Sequence, residues 1–336
     1  MRMVAAPLAA VLAAIAIGGC GGDGAEPGAP EGATLVLDFT PNAVHSGLFA
    51  AQRRGYFADA GIDLEIREPS STADGAKLLE AGRAEFAILD INDFAVARER
   101  GLGLLAVAAI VQRPLASVIA ADRDQVRAPA DLRGMTVGVT GVPSDQRVLD
   151  TILRAGGVGP DEVSQQTIGF QSVPLLAAGR VDAATAFWNA EGVALREMGV
   201  PTREFRVQAH GAPRYPELLL VTRAANVNAD GPFCGVFAAL EAGYEVLRDD
   251  PDGALQDLLD AVPELDPQAQ ELQFDALEQA NAFSPVRHPR GVSPMVLARS
   301  LWRFGIWASV PELSVRDRVH ELIADYELTC LPARSG

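Results

Sequence analysis

Polar and aromatic side chains follow apolar, strand-like runs in this chain, which is the arrangement of a small-molecule site. In the stretch "LVLDFTPNAVHSG" the apolar run stops at Asp38 and Phe39, and Asn42 and His45 follow at the start of a helix. Carboxylates and amides accept hydrogen bonds from amino groups, and aromatic rings stack on flat rings. This join predicts contacts to a flat, neutral or weakly basic heterocycle.

Later strand ends repeat this pattern with hydroxyls, amides and carboxylates and hardly any cationic side chain. A phosphate or sulfonate would favour arginine, lysine or a glycine-rich helix start. Phe39 and Trp188 are predicted to clamp the ligand from opposite lobes. Asp93 and Phe170 also follow strand-like runs. The remaining predicted ligand contacts are Ser71, Thr72, Asp90, Asn92, Gln112, Ser144, Asp145, Asn189 and Glu191.

Most of these residue types also have a purely structural use. Asp38, Asn42, the Ser71–Thr72 pair and the Ser144–Asp145 pair could cap helices. The aromatic rings and His45 could pack in the core, and Glu191 could be a first-turn charge favoured by the helix dipole. The sequence alone leaves these alternatives open beside the binding role.

The elements that position these residues alternate between strand-like and helix-like segments. Such alternation predicts an α/β fold with mostly parallel sheets. "LLEAGRAEFAILD" (78–90) resembles "LLAAGRVDAATAF" (175–187), so the same helix–strand unit occurs once in each half. We expect two lobes, 34–118 with 218–336 and 119–217, joined by two crossings near 114–121 and 214–223. Ligands of such sheets bind outside the carboxyl ends of the strands, which here face an interlobe cleft.

Composition and motifs exclude several function classes. The chain has 336 residues, a formal net charge of −16 and a pI near 4.7, and this acidity argues against binding nucleic acid. Lys77 is its only lysine, and there is no Gly-x-Ser-x-Gly, P-loop, His-Glu-x-x-His or Cys-x-x-Cys motif. We therefore expect a monomer without a cofactor or metal.

The amino-terminal segment predicts export and a lipid anchor. Arg2 precedes an apolar stretch that is too short to span a membrane comfortably, and "IGGC" resembles a bacterial lipobox. We expect residues 1–19 to be a signal peptide, Cys20 to carry lipid, and residues 20–33 to be a flexible tether. An ordinary signal peptide or an uncleaved anchor is the alternative.

The other two cysteines are Cys234 and Cys330. An even pair in an exported protein suggests a disulfide, and two buried thiols are the alternative.

The stretch from Leu37 to Asp63 resembles the opening motif of solute-binding proteins for thiamine-pyrimidine precursors. It has Leu-Asp-Phe-Thr-Pro-Asn followed by His45, then Gly-Tyr-Phe at 55–57 and Gly-Ile-Asp at 61–63. The resemblance covers roughly residues 34–330 and includes "GRAEFAILD" and "GRVDAATAFWNAEG". It implies a two-lobed periplasmic-binding fold of type 2 and pyrimidine stacking near Phe39, where tryptophan is usual.

The same resemblance implies delivery of the ligand to the permease and ATPase subunits of an ABC importer at the outer face of the membrane. The alternatives are a binding subunit of a sensor, or a binding protein for a riboflavin-like or sulfonate-like nutrient. A hydrolase or synthase on the same fold is a third class.

The superfamily also contains the fungal thiamine-pyrimidine synthase, which consumes one of its histidines and holds pyridoxal phosphate on a lysine. Leu89 and Asp93 occupy those positions here, and the synthase's cysteine-rich motif is missing. The sequence therefore predicts a binding protein and not an enzyme.

Overall fold

The computed structural model describes residues 30–71, 74–121, 126–228 and 231–283. The predicted signal peptide, Cys20, Thr72 and Cys330 lie outside these residues. In the described part, strands and helices alternate as the sequence predicts. The strands are β1 (Glu31–Val36), β2 (Ile62–Arg67), β3 (Phe86–Asp90), β4 (Leu104–Val111), β5 (Ala116–Ala121), β6 (Thr136–Val139), β7 (Ser164–Thr167), β8 (Ala183–Phe187), β9 (Thr202–Arg206) and β10 (Leu218–Arg223).

The α-helices connect these strands and then cover the first lobe at the carboxyl end of the described chain. None of the described helices combines the length and the apolar composition that crossing a membrane requires. The helices are α1 (Ser46–Arg53), α2 (Tyr56–Asp59), α3 (Asp74–Glu80), α4 (Ile91–Glu99), α5 (Pro143–Ala155), α6 (Ser172–Ala177), α7 (Glu191–Glu197), α8 (Phe233–Asp249), α9 (Pro251–Ala261) and α10 (Pro267–Gln279).

The strands form two five-stranded sheets with equivalent topology. The first has the order β2-β1-β3-β10-β4, and the second has the order β7-β6-β8-β5-β9. In each sheet the first three strands are parallel, and one antiparallel strand is inserted beside the third. This confirms the predicted two-lobed α/β fold of periplasmic-binding proteins.

The inserted antiparallel strands, β5 and β10, lie within the two predicted crossings, each after the short segment that passes between the lobes. With β5 the chain enters the second sheet, and with β10 it returns to the first sheet. Because both run against their neighbours, their amino ends lie at the same sheet edge as the carboxyl ends of the parallel strands. Both crossings therefore approach the edge where a ligand is expected.

Burial explains why these segments form a continuous core. Val36 and Leu219 of the first sheet belong to one buried cluster with Val118 and Val137 of the second sheet and Tyr215 of the second crossing. On the outer face of the first lobe, α1 packs closely on α8. A Cβ added at Gly47 would lie 2.6 Å from the Tyr244 ring, so only glycine permits this approach.

The first strand begins earlier than the sequence indicates. Glu31 to Ala33 pair with Ile62 to Leu64 of β2, so these three residues belong to the sheet and not to the predicted tether of residues 20–33. The strand also ends at Val36, which leaves Asp38 and Phe39 in the loop that follows it. The short alternation in "EGATLV" carries too little apolar signal to show this start from sequence.

Candidate functional site

A cavity of about 110 Å³ lies between the lobes at the expected sheet edge. It receives the carboxyl ends of parallel strands from both sheets and the amino ends of the two inserted strands. Its lining consists of Leu37, Asp38, Phe39, Pro69, Gly75, Ile88, Leu89, Asp90, Asp93, Ala116, Ser117, Thr140, Val142, Ser144, Asp145, Val148, Phe170, Thr185, Ala186, Phe187, Glu191 and Leu218.

Six of the predicted ligand contacts meet at this cavity, although they come from segments far apart in the chain. The first lobe contributes three of them and the second lobe the other three. They are Asp38, Phe39, Asp90, Ser144, Asp145 and Glu191.

The opening motif combines helix capping with orientation of a cavity carboxylate. The Asn42 side chain accepts the Val44 N–H at 3.1 Å and caps the turn that precedes α1. His45 is fully buried, its Nδ1 accepts the Asn42 N–H at 3.1 Å, and its Nε2 lies 2.9 Å from Asp38 Oδ1. Since Nδ1 is an acceptor, Nε2 carries the proton and donates to Asp38. Asn42 and His45 thus position Asp38 instead of lining the cavity.

Trp188 does not line the cavity, in contrast to the predicted aromatic clamp. Only 3% of its surface is exposed, and its indole N–H donates to the Pro114 carbonyl at 3.0 Å. The Arg206 guanidinium lies 4.1 Å from the ring centroid. The polar residues after Trp188 suggested an open strand end, but the chain turns there so that the indole packs against the first crossing.

The other predicted contacts that the structure describes do not line the cavity. Asn189 is fully buried beside Trp188 and is not part of the lining. Ser71 is exposed and bonds to Asp74 at the start of α3. Asn92 bonds to Asp90, and the Gln112 side chain donates to the Ala109 carbonyl. Thr72 lies outside the described residues.

The sequence did not predict several of the residues that line the cavity, and the structure shows why. Ser117 and Leu218 lie near the amino ends of antiparallel strands, and a search of carboxyl ends alone cannot find them. Thr185 lies within β8, so its approach to Asp145 depends on the assembled sheet. Asp93 and Phe170 do follow predicted strand ends, and that signal could have added them to the predicted set.

Two aromatic rings define an apolar part of the cavity. Phe39 and Phe170 have ring centroids 4.7 Å apart and an interplanar angle of 82°. This is an edge-to-face contact between the lobes. Both rings are half-buried, so each keeps a surface that a flat ligand can cover.

Among the described residues, five carboxyl groups line the cavity, and none of these lining residues is lysine, arginine or histidine. Asp145 already accepts three hydrogen bonds, from Thr140 Oγ1 at 2.6 Å, the Gly141 N–H at 2.8 Å and Thr185 Oγ1 at 2.8 Å. Asp38 accepts from His45, and Asp93 accepts from the Ser144 N–H, so these two carboxyl groups keep acceptor sites for a ligand. The cavity therefore offers acceptors to amino groups and repels anions.

Burial alters the ionisation of three of these groups. It raises the pKa of Glu191 to about 7, and the negative charge of Asp38 adds to this effect. It also raises the pKa of Asp93 well above its usual range, with further contributions from Asp90 and then Asp145. Burial likewise raises the pKa of Asp90. Part of the cavity's negative charge is thus neutralised by protons near pH 7.

The lobes contact each other at the cavity wall. The Ser144 backbone N–H at the start of α5 donates to Asp93 Oδ1 of α4 at 3.3 Å. Outside the cavity, Arg147 of α5 lies 3.8 Å from Glu99 of α4. These two contacts connect the same helix pair and hold the lobes close together.

The carboxyl groups do not form a metal site. Within the described ranges, no group of three or more histidine, cysteine, aspartate or glutamate side chains is placed to hold a metal ion. Lys77 is exposed on α3 and is not part of the cavity lining, so it cannot hold an aldehyde cofactor there.

Comparison with known proteins identifies related sequences. The family described as NMT1/THI5 like matches residues 42–254. A formylaminopyrimidine-binding protein of Halalkalibacterium halodurans is 34% identical over 251 residues, which are 74% of this chain and 76% of that protein. A 4-amino-5-hydroxymethyl-2-methylpyrimidine phosphate synthase of Saccharomyces cerevisiae is 24% identical over 165 residues, 49% of this chain and 48% of that enzyme.

Solved structures share the fold. The alkanesulfonate-binding protein of Xanthomonas axonopodis pv. citri, bound to MOPS, superposes with a TM-score of 0.65 and 18% identity. The match covers 88% of this chain and 96% of that one. At this identity the likeness concerns the two-lobed architecture alone.

Proposed function

Since the chain belongs to the NMT1/THI5-like family, we propose that it is the substrate-binding component of an ABC importer for a thiamine-pyrimidine precursor. The ligand is a small, flat, amino-bearing heterocycle that binds between the lobes. Ligand contacts with both lobes favour the closed state by population shift, and the transporter binds that state.

The cavity's composition is the observation that carries this proposal. Two half-buried phenylalanine rings lie beside carboxyl groups that retain acceptor capacity, and the lining formed by the described residues has no basic side chain. Such a site stacks on a flat ring and accepts from its amino groups. It disfavours a phosphate or sulfonate, which needs cationic or N–H donors.

An enzymatic role is disfavoured by what occupies the equivalent positions. The cavity has Leu89 and Asp93 where the resemblance to the fungal synthase requires a sacrificial histidine and a cofactor-binding lysine. Purified protein incubated with pyrimidine precursors should give no product by mass spectrometry. Formation of a product would contradict the binding role.

Titration calorimetry tests the ligand class directly. Formylaminopyrimidine and 4-amino-5-hydroxymethyl-2-methylpyrimidine should bind with dissociation constants of about 1 μM or lower. The phosphate ester of the latter should bind at least about tenfold more weakly because the lining repels its charge. Binding of an alkanesulfonate without binding of either pyrimidine would overturn the proposal.

Membrane attachment through Cys20 is a separate part of the proposal, supported by the lipobox-like "IGGC". A Cys20→Ser variant should leave the membrane fraction, while a Cys234→Ser variant, which keeps the lipobox-like motif intact, should stay there. Retention of Cys20→Ser in the membrane would show a different anchor. Cells should take up the pyrimidine only when this protein and a cognate permease are both present. If the protein were a sensor subunit instead, its removal would leave uptake unchanged.

A further inference from the structure

Glu217 connects both crossings to the cavity although it does not line it. The residue is fully buried just before β10, and its Oε2 accepts the backbone N–H groups of Leu115 and Ala116, the latter at 2.8 Å. Its own backbone N–H donates to the Val111 carbonyl at 2.9 Å, and its carbonyl accepts the Ile91 N–H at 2.9 Å. One residue of the second crossing therefore holds the first crossing, the end of β4 and the start of α4.

The Glu217 side chain also lies beside the carboxyl of Asp90, which does line the cavity: Asp90 pairs with Leu218 in the sheet, and the Ile91 N–H bonds to the Glu217 carbonyl. Glu217 Oε1 is buried and accepts from no donor in the described residues. Asp90 Oδ1 is already an acceptor for the Asn92 backbone N–H at 2.5 Å and the Asn92 side-chain amide at 2.9 Å. Two carboxyl groups can share a hydrogen bond only when one of them carries a proton.

The surroundings determine which carboxyl holds this proton. The groups that face Glu217 are the Asp90 carboxyl from the end of β3, the Tyr215 phenol from its own segment and the two N–H groups of the first crossing. Burial, followed by the negative charge of Asp90, raises the pKa of Glu217 well above its usual range. Asp90 accepts from three N–H groups, two of Asn92 and the Asp93 backbone, whereas Glu217 accepts from two, so Asp90 is the better place for the negative charge.

We infer that Glu217 is a positioning residue of the ligand site: it keeps a proton that it donates to Asp90, and so aligns the cavity carboxylate while joining the two crossings. Loss of the proton would bring two negative charges into contact in the core at the hinge. Loss of the side chain would release the first crossing and leave Asp90 unaligned.

The conservative variant Glu217→Gln keeps a hydrogen-bond donor and an acceptor at this position but cannot become negatively charged. Its amide oxygen can accept from Leu115 and Ala116, and its NH₂ group can donate to Asp90 at every pH. Glu217→Leu, with a similar volume, can do neither. The ligand-affinity part of the inference rests on the proposed function, whereas the stability part requires no ligand.

Thermal unfolding without ligand provides the first measurement. In the wild type, a protonated Glu217 favours the folded state at low pH. That advantage falls as pH rises from about 4.5 toward the raised pKa, because only the unfolded chain loses its proton there. Glu217→Gln does not titrate. Its melting temperature relative to wild type should therefore increase as pH rises above about 4.5. A constant difference would overturn the inference, because Glu217 would then be ionised in the folded protein.

Titration calorimetry with 4-amino-5-hydroxymethyl-2-methylpyrimidine provides the second measurement. At pH 7, Glu217→Gln should bind within about threefold of wild type, and folded Glu217→Leu should bind at least about tenfold more weakly. Loss of binding in Glu217→Gln would mean that the site needs a negative charge at this position, and would contradict the inference. If wild type itself does not bind, the proposed function fails, and the pH dependence of unfolding still decides the role of the proton.

Discussion

Phe39 and Phe170 extend from opposite lobes and meet edge to face across the cavity, with ring centroids 4.7 Å apart. Phe39 follows β1, and Phe170 follows β7, the strand at one edge of the second sheet. Because each ring belongs to a different lobe, a flat ligand that touches both rings contributes to closure as well as to affinity. The rings therefore connect recognition with the conformational change.

We expect Phe39→Ala and Phe170→Ala each to weaken binding of the pyrimidine about tenfold to a hundredfold. Each change removes apolar area and a ring contact, which together contribute about 1.5–3 kcal/mol. Phe39→Trp is the matched control, since tryptophan can stack in the same place, and it should retain affinity within about threefold. Titration calorimetry on the three variants makes the comparison. Wild-type affinity in both alanine variants would show that the ligand lies elsewhere.

Trp188 should behave in the opposite way, because it is a core residue of the hinge region. Trp188→Ala should lower the free energy of unfolding by about 3–5 kcal/mol, the usual effect of removing a buried aromatic side chain. Trp188→Phe keeps much of the ring but leaves the Pro114 carbonyl without its donor, so it should cost about 1–3 kcal/mol. Urea unfolding measures both values. A large loss of affinity with unchanged stability would instead place the indole in contact with the ligand.

Trp188 also shows how far the sequence could predict this molecule. Apolar runs identified strands such as β3, β5 and β8, since a strand buried on both faces is apolar along its length and polar where it ends. The same rule found Asp90 and Glu191 at the cavity. It failed for Trp188, because the direction in which a side chain leaves a turn depends on tertiary packing that no local pattern encodes.

Strand direction explains why the sequence did not predict a second group of residues near the cavity. Ser117 and Glu217 lie at or just before the amino ends of β5 and β10, and only the antiparallel insertion of these strands brings them to the ligand edge. His45 illustrates a third case, because its residue type suggested a ligand contact. The fold uses it to orient Asp38. Residue type and spacing identified the region, and the contacts assigned the roles within it.

Glu191 should couple ligand binding to proton release near neutral pH. Its pKa of about 7 in the unliganded protein means that roughly half of the molecules carry a proton there. An amino group of the ligand favours the ionised carboxylate, so binding should release a fraction of a proton per ligand near pH 7 and almost none near pH 9. Calorimetry in buffers with different ionisation enthalpies measures this number.

Glu191→Gln is the control for that measurement, because it retains an acceptor and does not titrate. It should bind without the pH-dependent release that wild type shows. The same raised pKa also implies that the unliganded wild-type protein loses stability as pH rises from about 4.5 to about 7, since only the unfolded chain releases its proton there. Proton release that persists in Glu191→Gln would assign it to another group.

Cys234 should form a disulfide with Cys330, which lies outside the described residues. The two positions are far apart in sequence, so a bond between them should stabilise the folded chain by about 4 kcal/mol through restriction of the unfolded state. Denatured, unreduced Cys20→Ser protein from an oxidising compartment should react with no thiol reagent, and two thiols should appear after reduction. Two thiols before reduction would exclude the bond.

The contact between Asp93 and Ser144 should control closure of the lobes. Asp93→Ala removes the acceptor for the Ser144 N–H, and with it a hydrogen bond that connects α4 to α5 at the cavity wall. The closed state should therefore become less populated, and affinity for the pyrimidine should fall about tenfold. Small-angle X-ray scattering without ligand should show a larger radius of gyration than in wild type.

Arg147→Gln provides a matched comparison on the same helix pair. It removes the contact with Glu99 at 3.8 Å, and both side chains are partly exposed there. Exposed ion pairs contribute little, about 0–1 kcal/mol, so affinity and radius of gyration should stay close to wild type. If Arg147→Gln opened the molecule as much as Asp93→Ala, closure would depend on the general fit of α4 against α5. An effect confined to Asp93→Ala assigns closure to the cavity carboxyl, which is the group that a bound ligand can reach.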